Sequence, residues 1–173
     1  MVLTQDETKR LFRHLDGNQW LPVCLLYGSG LRLMECLRLR VKDLDFDHRA
    51  IVVRCGKGGK DRVVPLGSRA CTWLEKYIHE VRPYQLRDEH TTTLFLTMKG
   101  NTFHPDEVTR IVRDHFKDAG IEHGGACHVL RHSMATSMLE NGADIRYIQS
   151  MLCHINPEST QIYTKVSILK LKE

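Results

Sequence analysis

The chain has 173 residues, of which 42% are hydrophobic and 27% charged, with a formal net charge of +4 at pH 7. That length suffices for one domain with a sizeable core, and the composition excludes a disordered or low-complexity chain. The mild basic excess suits a polyanionic partner as readily as an ordinary solvated surface. The sequence carries no 18-residue apolar run and no secretory leader pattern, so a cytoplasmic protein with no membrane association is expected.

In chain order, Thr4 with Glu7 forms a capping box that opens a first helix, and Thr8, Leu11, Phe12 and Leu15 supply its apolar stripe. Trp20 to Tyr27 is apolar almost all round and predicts a buried helix. Gly28-Ser29-Gly30 breaks it, and a short helix carrying Arg32 to Leu37 follows. Ala50 to Cys55 and Asp61 to Leu66 flank a Gly56-Lys57-Gly58-Gly59-Lys60 turn, which predicts a β-hairpin. Ser68 is expected to cap a helix with Ala70, Trp73, Leu74, Tyr77, Ile78 and Val81 on one face; Pro83 to Thr93 reads as a loop and Thr93 to Thr97 as a short strand. Pro105 sits in the first turn of a helix whose apolar face is Val108, Ile111, Val112, Phe116 and Ala119. His128 to Asn141 predicts a helix that ends with Gly142 at C′, and Asp144 caps a last helix running to about Cys153. A polar loop from His154 to Thr160 leads to Tyr163 in a short helical segment. The fold class is therefore mainly α with a small antiparallel β-sheet (α+β).

Six cysteines (Cys24, Cys36, Cys55, Cys71, Cys127, Cys153) are scattered without a C-x-x-C pair, several within apolar runs. They read as free thiols of a reducing compartment. His128 and His132 have the i,i+4 spacing of a zincin helix but lack its acidic residue, and no acidic cluster suggests a metal site. The glycine–lysine turn is not a phosphate-binding P-loop: that motif needs glycine at 51 or 54, where Ile51 and Arg54 stand, and no Ser or Thr follows the lysine.

His128 and Arg131 are three residues apart and share a helix face. With Leu130, Met134 and Met138 carrying the apolar side, the polar pair is expected to point away from the core. Arg32 lies between two leucines after a glycine break, where an unpaired charge would be costly. Glu35, one turn on, is its expected partner or, alternatively, a support that leaves Arg32 to reach a phosphate in bidentate fashion. Lys57 is either a solvated turn residue or an ammonium delivered by the hairpin into a groove. Tyr163, a phenol with a pKa near 10, is a weak nucleophile unless a base and a positive site assist it.

Taken together these blocks resemble the tyrosine recombinase (phage integrase) family over nearly the whole chain. The pattern is Gly-Leu-Arg-x-x-Glu, a Gly-Lys-Gly hairpin ending in Val-Pro-Leu, His-x-x-Arg-His, Leu-x-His, and a tyrosine nine residues after that histidine. The stretch from Leu31 to Phe46 and the Gly56–Arg62 segment are similar to integron integrases, and Gly125 to Val166 is similar to Xer recombinases. Pro83 to Gly125 is too short for the helical insertion of the integron enzymes, and Cys153 stands where the family usually has glycine. The resemblance implies the catalytic residues Arg32, Lys57, His128, Arg131, His154 and Tyr163, with Glu35 in support and no cofactor or metal. It implies cutting and rejoining of double-stranded DNA through a 3′-phosphotyrosine, with four protomers acting on two duplexes and the tail from Ser167 to Glu173 docking on a neighbour. A bacterial, DNA-associated protein follows from it, with 1–173 as a single catalytic domain lacking the family's N-terminal DNA-clamping helical domain. The same groups would serve a type IB topoisomerase-like nicking–closing enzyme, and a DNA-binding remnant or a metal-dependent nuclease are the other readings.

Overall fold

The structure, a computed structural model, describes residues 1–15, 17–54, 61–122 and 124–152, with only the backbone of 17–20. Eight α-helices and three short strands are present among these residues: α1 (Gln5–His14), α2 (Gly17–Gly28), α3 (Leu33–Leu37), β1 (Leu44–Asp45), β2 (Ala50–Val53), β3 (Arg62–Pro65), α4 (Ser68–Lys76), α5 (Arg82–Gln85), α6 (Pro105–Asp118), α7 (Cys127–Glu140) and α8 (Ile145–Leu152). The mainly helical fold with a small antiparallel sheet is thus as expected.

The expected start signals operate. At α1 the Thr4 hydroxyl accepts the Glu7 N–H at 3.2 Å and the Glu7 carboxylate accepts the Thr4 N–H at 2.8 Å. Pro105 opens α6, and Gly142 closes α7 at φ +84°, a left-handed conformation that side chains other than hydrogen adopt at a cost. The sheet runs β1-β2-β3, antiparallel throughout, with Ile51 opposite both Leu44 and Val64. β2 and β3 are the two arms of the expected hairpin, and β1 is an addition.

One hydrophobic core joins the helices to the sheet. α7 runs through its middle, packed on α2 and α8, and Leu130 is fully buried with Leu25, Leu26, Leu74, Ile148 and Leu152. Each such side chain contributes about 1.5–3 kcal/mol of transfer free energy. Polar ties cross this core. The Ser133 hydroxyl accepts the Leu3 N–H at 2.8 Å and donates to Val129 O at 2.7 Å, and the Ser29 hydroxyl donates to Pro65 O at 2.9 Å. Among the described residues no helix is long and apolar enough to cross a membrane.

Several expectations are corrected. Gly67, not Ser68, occupies the N-cap of α4, and no side chain caps it. Trp73 is nearly half exposed, beside the Lys76 ammonium, while Cys71 takes a buried place on that helix. The segment after Pro83 does not start as loop: a π-helical turn (Tyr77–Val81) feeds directly into α5, where proline at the first turn loses no intrahelical bond. Thr93 to Thr97 forms isolated bridges (Arg40 with Thr93, Leu96 with Thr102) in place of a strand. The Arg82 guanidinium holds this segment by donating to the carbonyls of Thr91, Thr93 and Leu94. Cys24, Cys36, Cys71 and Cys127 are free thiols; Cys55 and Cys153 lie outside the described residues.

Candidate active site

The turn between α2 and α3 sets the geometry. Gly30 has φ +64°, and a Cβ there would lie 2.2 Å from Met134 Cε and 2.8 Å from Leu152 Cδ2. Only glycine lets the backbone pass so close to α7 and α8. The turn places Arg32 at the front of α3, with its side chain about half exposed (51%). It also turns the Gly30 carbonyl toward α7, where the Arg131 Nη1 donates to it at 2.8 Å. Arg131 Nη2 donates to Leu152 O at the end of α8. One buried guanidinium therefore joins the turn before α3 to the chain two residues short of His154.

Glu35 lies behind these arginines. Its carboxylate accepts the Arg32 N–H at 2.8 Å and two bonds from the Arg62 guanidinium, each at 2.9 Å. Arg32 Nη1 stands 3.5 Å away and Arg131 Nη1 4.0 Å away. Burial pushes the Glu35 carboxyl up, but the bonds from Arg62 and the Arg32 N–H, with the charges of Arg62 and Arg131, outweigh it and hold the group below its ordinary value. Glu35 is thus an anion at neutral pH. Arg62 also donates through Nε to Met151 O at 2.8 Å.

A cleft of about 490 Å³ opens between α3, α6 and the N-terminal end of α7, lined by Arg32, Thr109, Cys127, His128, Arg131 and His132 among others. His128 is exposed, and its ring stands edge-on to that of His132 at 6.3 Å. Burial, and then the nearby charges of His128, the chain N-terminus and Arg131, push His132 below its ordinary pKa, so it stays neutral. A cleft with two guanidinium groups on its wall and an accessible imidazole at its mouth suits a bound phosphate.

Of the seven residues singled out in the sequence, the structure brings four together: Arg32, His128 and Arg131 on the cleft, and Glu35 behind it. Lys57, His154 and Tyr163, with the Ser167–Glu173 tail, lie outside the described residues. One expectation is corrected. Arg131 does not share an outward face with His128: only 9% of it is exposed, because α7 is covered on several sides and buries Val129, Leu130, Ser133, Met134 and Ala135 as well. Glu35 does pair with Arg32, accepting its N–H at 2.8 Å with Nη1 at 3.5 Å, and Arg62 is an additional, closer partner at 2.9 Å to both oxygens. Arg62 is not legible as this partner from the sequence, because strand spacing says nothing of a partner 27 residues away; a cation entering the apolar Val63-Val64 run is the available signal.

The phage integrase family model matches residues 1–169. Tyrosine recombinase XerC 2 of Ralstonia nicotianae is 47% identical over 148 residues, 86% of this chain and 42% of that protein. Tyrosine recombinase XerA of Pyrococcus horikoshii is 39% identical over 175 residues, 99% of this chain and 59% of the relative. The crystal structure of XerA recombinase superposes with a TM-score of 0.86 at 35% identity, covering 99% of this chain and 63% of that one. XerH bound to palindromic difH substrate in a post-cleavage complex shares the fold, with a TM-score of 0.83 at 23% identity over 99% of this chain and 51% of that one. The chain thus spans about half the length of the curated relatives it matches. With its cleft, its helical fold and a family match over almost its whole length, the chain belongs to the phage integrase family and has the catalytic-domain fold of the tyrosine recombinases.

Proposed function

We propose that this chain is the catalytic domain of a site-specific recombinase that cuts and rejoins double-stranded DNA through a 3′-phosphotyrosine. The observation that carries the reading is Arg131: a buried guanidinium, fixed by Gly30 O and Leu152 O, on the wall of the cleft that Arg32 and His128 also line. XerH, of the same fold, has been crystallised with its difH substrate after cleavage, which supports DNA as the class of partner.

Arg32 and Arg131 bind the non-bridging oxygens of the scissile phosphate, and His154 donates a further bond to one of them. These donors stabilise the charge of the pentacoordinate transition state, each at a scale of about 3–4 kcal/mol. The Tyr163 hydroxyl attacks phosphorus while His128 takes its proton. The bond to the 5′-oxygen breaks, and Lys57 protonates that oxygen. A 5′-hydroxyl from a second strand then attacks the phosphotyrosine and restores the phosphodiester, so the bond energy is conserved within the DNA. Four protomers on two duplexes would complete the exchange, with residues 1–173 acting as a single catalytic unit.

The test is covalent trapping on a nicked suicide duplex in EDTA, at low salt, where phosphate contacts favour binding. A protein–DNA band on a denaturing gel that disappears in Tyr163→Phe supports the reading. Absence of the band with the unaltered chain, or its persistence in the variant, refutes it. Exchange between two labelled duplexes separates recombination from nicking and closing alone.

A further inference from the structure

We propose that Arg62 is a positioning residue for the phosphate-binding arginines: it holds the Glu35 carboxylate on itself and so keeps that charge off Arg131. This deepens the recombinase reading and rests on it.

Glu35 faces three guanidinium groups. Arg62 meets both its oxygens at 2.9 Å, the bidentate arrangement of a strong pair, whereas Arg32 Nη1 is at 3.5 Å and Arg131 Nη1 at 4.0 Å. The side chains of Arg62 and Glu35 are only 9% and 12% exposed, so water screens the pair weakly. Arg62 is itself fixed from the other side, since its Nε donates to Met151 O at 2.8 Å. Arg62 is not among the described residues that line the cleft, and its observed link to Arg32 and Arg131 runs through Glu35.

Removing Arg62 changes the balance of charge. The three guanidinium groups and one carboxylate carry two net positive charges, enough to face the two negative charges of a phosphorane. Without Arg62 one remains. The Glu35 anion would then turn to Arg131 and Arg32, the cations proposed to grip the phosphate. A buried carboxylate that loses its main partner takes the nearest alternative, because leaving it unpaired is costly. Drawing Arg131 even part of the 4.0 Å toward Glu35 displaces it from the phosphate, and a misplacement of about 1 Å can slow a reaction on the order of 100-fold.

The experiment is single-turnover cleavage of the suicide duplex by Arg62→Met, by Arg62→Met combined with Glu35→Gln, and by the unaltered chain, with DNA affinity and melting temperature measured for each. Glutamine keeps an oxygen for the Arg32 N–H but carries no charge to attract Arg131. Arg62→Met is expected to slow cleavage of pre-bound DNA by roughly 100-fold with Kd unchanged, and the added Glu35→Gln to recover at least about 10-fold of that loss. A double variant as slow as Arg62→Met alone would overturn the proposal, leaving Arg62 a structural clasp. So would a loss that appears in Kd, which would mean direct contact with DNA. If Arg62→Met does not fold, Arg62→Lys with and without Glu35→Gln is read in the same way, since lysine cannot reproduce the fork. An unaltered chain that forms no adduct counts against the proposed function; a cleaving chain whose variants are not rescued counts against Arg62 alone.

Discussion

Gly30→Ala tests whether the close approach of the α2–α3 turn to α7 holds the site together. Two costs follow from the structure. Alanine at φ +64° carries about 1–2 kcal/mol of left-handed strain. The new methyl would sit 2.2 Å from Met134 Cε and 2.8 Å from Leu152 Cδ2. Both are ends of side chains that can shift, so the overpacking falls at about 1–3 kcal/mol and not higher. The total is about 2–5 kcal/mol, a fall in Tm of about 4–20 °C for a chain of this length. Gly142→Ala is the matched control: φ is +84° and nothing lies within 4 Å of a Cβ there, so strain acts alone. Thermal melts by circular dichroism on both variants separate the two costs. If Gly30→Ala melts within about 2 °C of Gly142→Ala, the packing argument is wrong. A covalent-trapping assay on folded Gly30→Ala adds a functional arm, because the Gly30 carbonyl that orients Arg131 moves with the turn.

Arg131→Lys should slow cleavage by about 10²–10³-fold, because one ammonium cannot hold Gly30 O, Leu152 O and a phosphate together; a burst of adduct at the unaltered rate would contradict this. Tyr77→Phe removes a hydroxyl that donates to Gln85 Oε1 at 3.0 Å and accepts the Leu96 N–H at 3.1 Å. It should cost about 1–3 kcal/mol in urea unfolding, and a cost below about 0.5 kcal/mol would show that water replaces those partners. His132 has a folded-state pKa below its unfolded value, so the unfolded chain binds more protons as pH falls. The stability this contributes is fully present above about pH 6.5 and is lost as pH falls from there toward the lower folded value. The stability profile of His132→Gln should be flatter across that window, and an unchanged slope would place the titration elsewhere.

Local chemistry was legible from the sequence wherever it is governed by neighbours along the chain. The Thr4–Glu7 capping box, Pro105 at the start of α6, Gly142 at the end of α7, and the hairpin arms at β2 and β3 all follow from residues within a few positions of one another. The order and spacing of Gly-Leu-Arg-x-x-Glu, Gly-Lys-Gly, His-x-x-Arg-His and the distant tyrosine likewise pointed to the family that the comparisons bear out. What only the tertiary structure decided is who pairs with whom. Helical spacing grouped Arg131 with exposed His128, but the packing of α2 and α8 on α7 buries it and hands its guanidinium to carbonyls 101 and 21 residues away. Proximity in sequence offered Arg32 as a partner for Glu35, and the two do pair, but only the return of β3 delivers the closer Arg62, whose fork matches both carboxylate oxygens. Residue type sets what a side chain can bind, but the buried charge takes whichever partner the packing brings within about 3 Å.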